Sequence, residues 1–192
     1  MAAIVLAGGG GRRLGGVAKP ALLVGGVRLL DRVLSALSET DPVIVVGPDT
    51  LGVPSGVVRT REVPPGGGPV AGVGAAIGTG AVTSPLVAIL GGDLPLLTAA
   101  DLTVLVEALT DNADGAVYVD ADGREQWLCG VWRTAAIEAR LRATGTLANS
   151  SLRGLFGPLA FLKVVARNTV TPPYFDCDTE DDIRRAEEWL RR

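Results

Sequence analysis

Three groups of residues have the types and spacing for chemistry on phosphates. Ile4–Lys19 reads IVLAGGGGRRLGGVAK: an apolar run, four glycines, two arginines, and a lysine shortly after. Glycine lets backbone come close to a ligand, and free N–H groups in such a loop point at anions. Arg12, Arg13 and Lys19 add full positive charge beside them. Leu90–Leu97 reads LGGDLPLL, so Asp93 follows an apolar run with paired glycines leaving room around its carboxylate. A carboxylate beside a phosphate loop suits Mg²⁺, which takes oxygen ligands and commonly one or two carboxylates plus substrate phosphates. Tyr174–Asp182 reads YFDCDTEDD. Asp176 and Asp178 are two apart and point the same way in an extended segment. They are either a second carboxylate source for the same metal or an acidic N-terminus for a last helix, the role read for Asp181 and Asp182.

The glycine loop fits neither of the two best-known phosphate loops. A Walker A motif needs Gly-Lys-Ser/Thr, but Lys19 stands between Ala18 and Pro20. The pattern G-x-G-x-x-G fails as well, because the sixth position is Arg13 or Leu14. The chain has no histidine, which excludes Ser-His-Asp and Cys-His machinery and His-ligated zinc. If the chain is an enzyme, it is expected to work through carboxylates, cations, backbone dipoles and a hard metal ion.

Two further stretches are candidates. Glu62–Gly72, EVPPGGGPVAG, is either a surface loop or glycine-rich backbone against which a base or sugar lies, with Pro69 fixing the entry to a helix. Gly123–Trp132, GREQWLCGVW, sets Arg124, Gln126 and Trp127 ahead of a strand. Trp127 stacks on an acceptor ring or belongs to the core.

Strands alternating with helices must position these groups. Strands are expected at Ile4–Ala7, Val43–Val46, Val57–Arg59, Leu86–Leu90, Ala116–Val119, Leu128–Trp132 and Phe161–Val165. Apolar residues at helical spacing predict helices over Arg28–Glu39, Pro69–Thr79, from near Thr98, over Thr134–Arg142 and after Asp178–Thr179, the last turning Ile183, Ala186 and Leu190 inward. This order implies a mostly parallel sheet covered on both faces, with ligands at the carboxyl ends of its strands. Both the glycine loop and Asp93 then fall on that edge.

Composition is that of an ordinary soluble domain, 47% hydrophobic and 20% charged, with a net charge of −3 that argues against a nucleic-acid-coating role. Cys129 and Cys177 fit neither a metal-ligand pattern nor a disulfide framework, and are read as reduced thiols of a cytoplasmic protein. No apolar run suggests a membrane span or a signal peptide.

The motifs LAGGGGRRLGGVAKPALLVGG, GGGPVAG, LGGDLPLL and FDCDTEDDI resemble, in order and spacing, those of the MobA-like nucleotidyltransferases, and most of all the molybdenum cofactor guanylyltransferase type. The resemblance covers nearly the whole chain. It implies a single domain over 1–192 with a three-layer α/β/α Rossmann-like nucleotidyltransferase fold. The implied reaction is Mg²⁺-dependent attack of an acceptor phosphate on the α-phosphorus of GTP, giving a guanine dinucleotide of molybdopterin and pyrophosphate. Leu6, Ala7, Gly8 and Gly9 would meet the base and nucleoside, and Gly10, Gly11, Arg12 and Arg13 the phosphates. Lys19 would hold the phosphates from the far side, with Arg13, Lys19 and Asp93 as the catalytic set. Asp93 and Asp178 would hold the metal, while Gly68, Pro69 and Gly72 border the base. Asp176, Gln126 and Trp127 would serve the acceptor, with Asp176 alternatively a second metal ligand. An unstable cofactor also implies proteins that deliver or receive it.

Two features depart from the family habit. Ala18 stands where an Asp usually precedes the lysine, and Asp176-x-Asp178 stands where guanylyl members show Asn-x-Asn, a pattern found among cytidylyl relatives. LAGG at Leu6–Gly9 is the guanylyl form. The alternatives are a cytidylyl- or other nucleotidyltransferase with a different phosphorylated acceptor, and a nucleotide-binding module without turnover.

Overall fold

In the computed structural model, residues 1–8, 19–168 and 170–191 are described. The chain runs β1 (Ala2–Leu6), β2 (Leu23–Val24), β3 (Val27–Arg28), α1 (Leu29–Ala36), β4 (Val43–Val46), β5 (Val58–Thr60), α2 (Pro69–Gly78) and β6 (Leu86–Gly91). It continues through α3 (Ala99–Ala108), β7 (Gly115–Val119), β8 (Glu125–Arg133), α4 (Thr134–Ala143), α5 (Leu152–Phe156), β9 (Phe161–Val165) and α6 (Glu180–Leu190). Seven strands form one sheet in the order β5-β4-β1-β6-β8-β7-β9. Only β8 runs against its neighbours; the other pairs are parallel.

The sheet is buried because its strands are apolar on both faces. In β1, Ala3 and Val5 join a core with α1 and α3, while Ala2 and Ile4 join a second core with α2, α4 and α5. The period of two sends alternate residues to opposite faces, and continuous β-branched runs such as Val43–Val46 suit a strand covered on both. On the second face the Trp132 and Phe156 rings stack at 4.4 Å.

A third, smaller core lies apart from the sheet. Val24, Leu29, Cys177 and Ala186 are its buried members, with Leu22, Phe175 and Ile183 packed around them. It joins the hairpin β2–β3 to α6. Gly25 and Gly26 form the hairpin turn with φ of 58° and 77°, a left-handed pair that glycine adopts without a steric penalty.

The expected strands and long helices are present. Helix α1 ends at Ala36, earlier than Glu39, and β8 starts at Glu125, earlier than Leu128. The hairpin β2–β3 and the short helix α5 add to the expected elements. Helical spacing turns Leu190 inward, but the residue is 42% exposed. At that end of α6 the Trp189 ring packs edge-on against Phe175 at 5.0 Å, and Leu190 is turned to solvent. Among the described residues, no helix is long and apolar enough to cross a membrane.

Candidate active site

The parallel ladder aligns the carboxyl ends of four strands, β5, β4, β1 and β6. Beyond the strands themselves, Ala7 N–H donates to Val46 O (2.8 Å), Gly92 N–H to Leu6 O (2.9 Å) and Gly47 N–H to Thr60 O (3.0 Å). β1 pairs with β4 on one side and β6 on the other. Successive crossovers thus diverge around β1, the kind of switch point where α/β sheets bind ligands.

Asp93 is held at this edge by backbone fit. A Cβ at Gly92 would lie 3.1–3.3 Å from Ala7 and Leu6, and one at Gly91 would lie 2.6 Å from the Asp93 carboxylate. Both glycines therefore make room, Gly92 for β1 and Gly91 for the acid. Asp93 is not the cap of the next helix. Thr98 and Asp101 form that capping box. The backbone oxygen of Asp93 accepts from Cys177 N–H at 3.3 Å, tying the β6 exit to the segment before α6.

Cys177 is fully buried in the third core. Asp176 and Asp178 flank it and reach back toward Asp93. The helix cap is supplied by Thr179 and Asp182, which bond each other's backbone N–H groups. Asp181 pairs with Arg184. The expected capping role thus falls to Asp182, and Asp178 is turned to the site instead.

Lys19 opens a single 3-10 turn, Lys19–Ala21, just before the third core. Its Nζ donates to Asp93 Oδ2 at 2.5 Å and to Asp178 Oδ1 at 2.7 Å, with Asp176 Oδ2 at 3.9 Å. Burial by itself lowers the lysine's pKa, but the charges and hydrogen bonds of Asp93 and Asp178 outweigh it and the pKa is raised. Asp176 is also shifted upward, first by burial and then by Asp93 and Asp178, against the lowering effect of Lys19. Lys19, expected on phosphates, is thus bound to carboxylates here.

Two clefts meet at Asp93. The first, about 420 Å³, is lined by Leu6, Gly8, Lys19, Gly68, Gly72 and a buried acid, Glu62. Helix α2 opens onto it: Gly68 at the N-cap has φ 88° and brings no side-chain cap, and Pro69 follows. Unpaired N–H groups and the helix dipole favour an anion or carbonyl oxygen there. Gly72 lets α2 sit close to β1 and β4, since a Cβ would meet Leu6 Cδ2 at 3.1 Å and Val46 Cγ1 at 3.4 Å. The second cleft, about 260 Å³, is lined by Gln126, Trp127, Leu152, Tyr174 and Asp176.

Glu62 escaped the sequence reading. It is 8% exposed, and its Oε1 accepts from Gly66 N–H at 2.9 Å. Its one signal was position: an acid just past β5, on the same sheet edge, opening the glycine-rich loop. Trp127 belongs to the core and also borders a cleft. Its ring packs against Phe161 (5.2 Å) and Phe156 (5.8 Å), and the residue also lines the second cleft. The Gln126 amide donates to Asp120 Oδ2 at 3.0 Å, so Asp120 orients it. Gly9, Gly10, Gly11, Arg12, Arg13 and Ala18 lie outside the described residues. Among the described residues, no three acidic or thiol groups enclose a metal position by themselves.

The chain is similar to known proteins along its length. The MobA-like NTP transferase domain matches residues 3–160. A molybdenum cofactor guanylyltransferase of Rhodobacter capsulatus is 29% identical over 197 residues, covering 100% of this chain and 97% of that protein. One of Rhizobium johnstonii is 28% identical, covering 99% and 93%. Among solved structures, molybdopterin-guanine dinucleotide biosynthesis protein A from Archaeoglobus fulgidus superposes with a TM-score of 0.77 at 21% identity, covering 100% of this chain and 99% of that one. The 2-C-methyl-D-erythritol 4-phosphate cytidylyltransferase of Thermus thermophilus gives 0.71 at 20% identity, covering 99% and 98%. The fold is therefore the Rossmann-like nucleotidyltransferase fold, and the chain belongs to the MobA-like NTP transferase family.

Proposed function

We propose that this protein transfers GMP from GTP to the terminal phosphate of molybdopterin and releases pyrophosphate. The observation that carries the reading is the pair of clefts meeting at Asp93, the first with a buried carboxylate in its wall. A guanine offers two adjacent donors, N1–H and the 2-amino group. A carboxylate accepts both, which suits Glu62. The full-length guanylyltransferase relatives support the same substrates.

Leu6, Ala7 and Gly8 with Gly68, Pro69 and Gly72 border the base and nucleoside. On sequence grounds Gly9 continues that border, and the following residues, Gly10 to Arg13, are assigned to the triphosphate. The acceptor enters by the second cleft, beside Trp127, Gln126 and Asp176. Its phosphate oxygen attacks the α-phosphorus; one P–O bond forms as the bond to pyrophosphate breaks. The attacking group is already an anion, so no general base is needed, in keeping with a chain that has no histidine.

Mg²⁺ fits the donor set. Asp93 and Asp178 aim hard oxygen atoms at one point, where both meet the Lys19 ammonium. They would hold the ion, and nucleotide phosphates would complete its shell. When bound it neutralises charge on the phosphates. Lys19 and Arg13 supply the remaining positive charge on the pyrophosphate side. A cytoplasmic site of action, with proteins that deliver or receive the cofactor, completes the proposal.

Pyrophosphate release tests it, with each nucleoside triphosphate incubated with molybdopterin and Mg²⁺. GTP should give the signal, and Asp93→Asn should lower turnover by roughly 10²-fold or more, the scale of losing one group that stabilises transition-state charge. Release from CTP but not GTP would transfer the assignment to a cytidylyl enzyme. No release from any nucleotide would leave a binding module.

A further inference from the structure

We propose that Lys19 is a resident counter-ion that occupies the divalent-cation position between Asp93 and Asp178 until a nucleotide draws it away, so that the metal enters with the nucleotide and not ahead of it. The inference rests on the proposed metal role of those two carboxylates and goes beyond it to the order of binding.

The geometry points to one position for two cations. Nζ is 2.5 Å from Asp93 Oδ2 and 2.7 Å from Asp178 Oδ1. A Mg²⁺ ion on the same oxygens, at about 2.1 Å from each, would overlap the ammonium or sit against it as a like charge. Lys19 is hydrogen-bonded to both of these carboxylates, and the Asp176 Oδ2 atom lies 3.9 Å from the same Nζ. The lysine is partly buried, its side chain 15% exposed, so the pair is screened less than a surface ion pair.

The lysine can also leave without disturbing the fold. Lys19 lines the first cleft together with Gly8 and Gly68, so a nucleotide bound in that cleft is within its reach. Its backbone is held by Leu22 N–H donating to Lys19 O at 3.1 Å, next to the third core. The side chain is a flexible stem carrying a point charge, so rotation about its own bonds moves Nζ from carboxylate to phosphate. A nucleotide then does two things at once: it offers Lys19 a new anion and brings ligands for the metal that replaces it.

The chain has only two lysines, Lys19 and Lys163, which makes the exchange visible. The first measurement is Mn²⁺ binding without nucleotide, followed by the free-ion electron paramagnetic resonance signal, for the wild type and Lys19→Met. Removing the ammonium should tighten Mn²⁺ binding at least 10-fold, and Asp93→Asn in that background should reverse the gain. Equal or weaker binding by folded Lys19→Met would overturn the proposal. The second measurement needs no variant: ¹⁵N-lysine spectra recording the coupling across the hydrogen bond from Lys19 Nζ to the carboxylate carbons. The coupling should persist with Mg²⁺ alone and vanish with Mg²⁺ plus an α,β-methylene analogue of GTP or, in parallel, CTP. Persistence in both nucleotide complexes, or loss with Mg²⁺ alone, would overturn it. A protein with both expected signatures that releases no pyrophosphate from GTP would keep the counter-ion role and lose the functional reading.

Discussion

Replacing Glu62 by Gln isolates the proposed reading of the base. The carboxylate is 8% exposed, anchored through Oε1 to Gly66 N–H at 2.9 Å, and lines the first cleft. A charge-assisted hydrogen bond contributes about 1.5–3 kcal/mol. Glutamine keeps one acceptor, but its NH₂ meets a guanine donor, so one such bond is lost and a donor–donor mismatch is added. The expected cost is about 2–4 kcal/mol in kcat/KM for GTP, or roughly 30- to 900-fold at 1.36 kcal/mol per decade. The decisive assay is pyrophosphate release from GTP and ITP side by side. ITP lacks the 2-amino group, so it should be the poorer substrate of the wild type by roughly 10-fold or more. For Glu62→Gln the mismatched donor is absent from ITP, and the preference should shift toward ITP. An unchanged GTP-to-ITP ratio would refute the reasoning. So would an equal loss for all nucleotides, which would mean that Glu62 only holds the loop through Gly66.

Three other substitutions probe the frame around the site. Gly115→Ala would put a Cβ 2.2 Å from Trp132 Cε3, and the ring cannot withdraw because it is fully buried and stacked on Phe156. Overpacking of this kind costs about 1–3 kcal/mol, so a thermal scan should show the midpoint falling by roughly 2–12 °C. Gly92→Ala presses a Cβ to within 3.1–3.3 Å of Ala7 and Leu6, moving the β6 exit that carries Asp93. Turnover should fall by roughly 10-fold or more while the fold survives, since small misplacements at a reacting centre are costly; unchanged turnover would mean that the exit adjusts without moving the acid. Asp176→Asn should raise stability near neutral pH. The native acid holds its proton to a higher pH than the unfolded chain does, chiefly through burial, so its ionisation lowers stability as pH rises above 3.8. The gain should therefore disappear below that pH, and urea midpoints from pH 3 to 7 that differ by a constant would contradict the assigned cause.

The fold was legible wherever local sequence and tertiary environment agree. Val43–Val46 and Phe161–Val165 have their expected bounds, because an apolar β-branched run or an apolar stretch between turn residues has few other uses in an α/β chain. Thr98 and Thr179, each with an acid three residues on, start their helices as capping boxes. The hairpin Leu23–Arg28 was not legible, because its two-residue strands are too short to carry a period. Leu190 misled for a related reason: helical spacing names a stripe on α6 but not how far the neighbouring core extends along it.

At the site, the sequence singled out Lys19, Asp93, Asp176 and Asp178 but not Glu62, and it did not show which of them meet. Asp93, flanked by glycines at the end of β6, announced itself. Its partner Lys19 is 74 positions away, and Asp178 lies 159 positions from that lysine. No periodicity encodes such a meeting; the small core of Val24, Leu29, Cys177 and Ala186 produces it. That core draws the segment after the glycine loop against the segment before α6, and the backbone bond from Cys177 to Asp93 closes the link to the sheet. The cysteine that gave no chemical signal in the sequence is therefore the side chain around which the acids converge. A candidate residue was legible from its type and its distance from a strand end, whereas its charge partner depended on hydrophobic packing between distant segments.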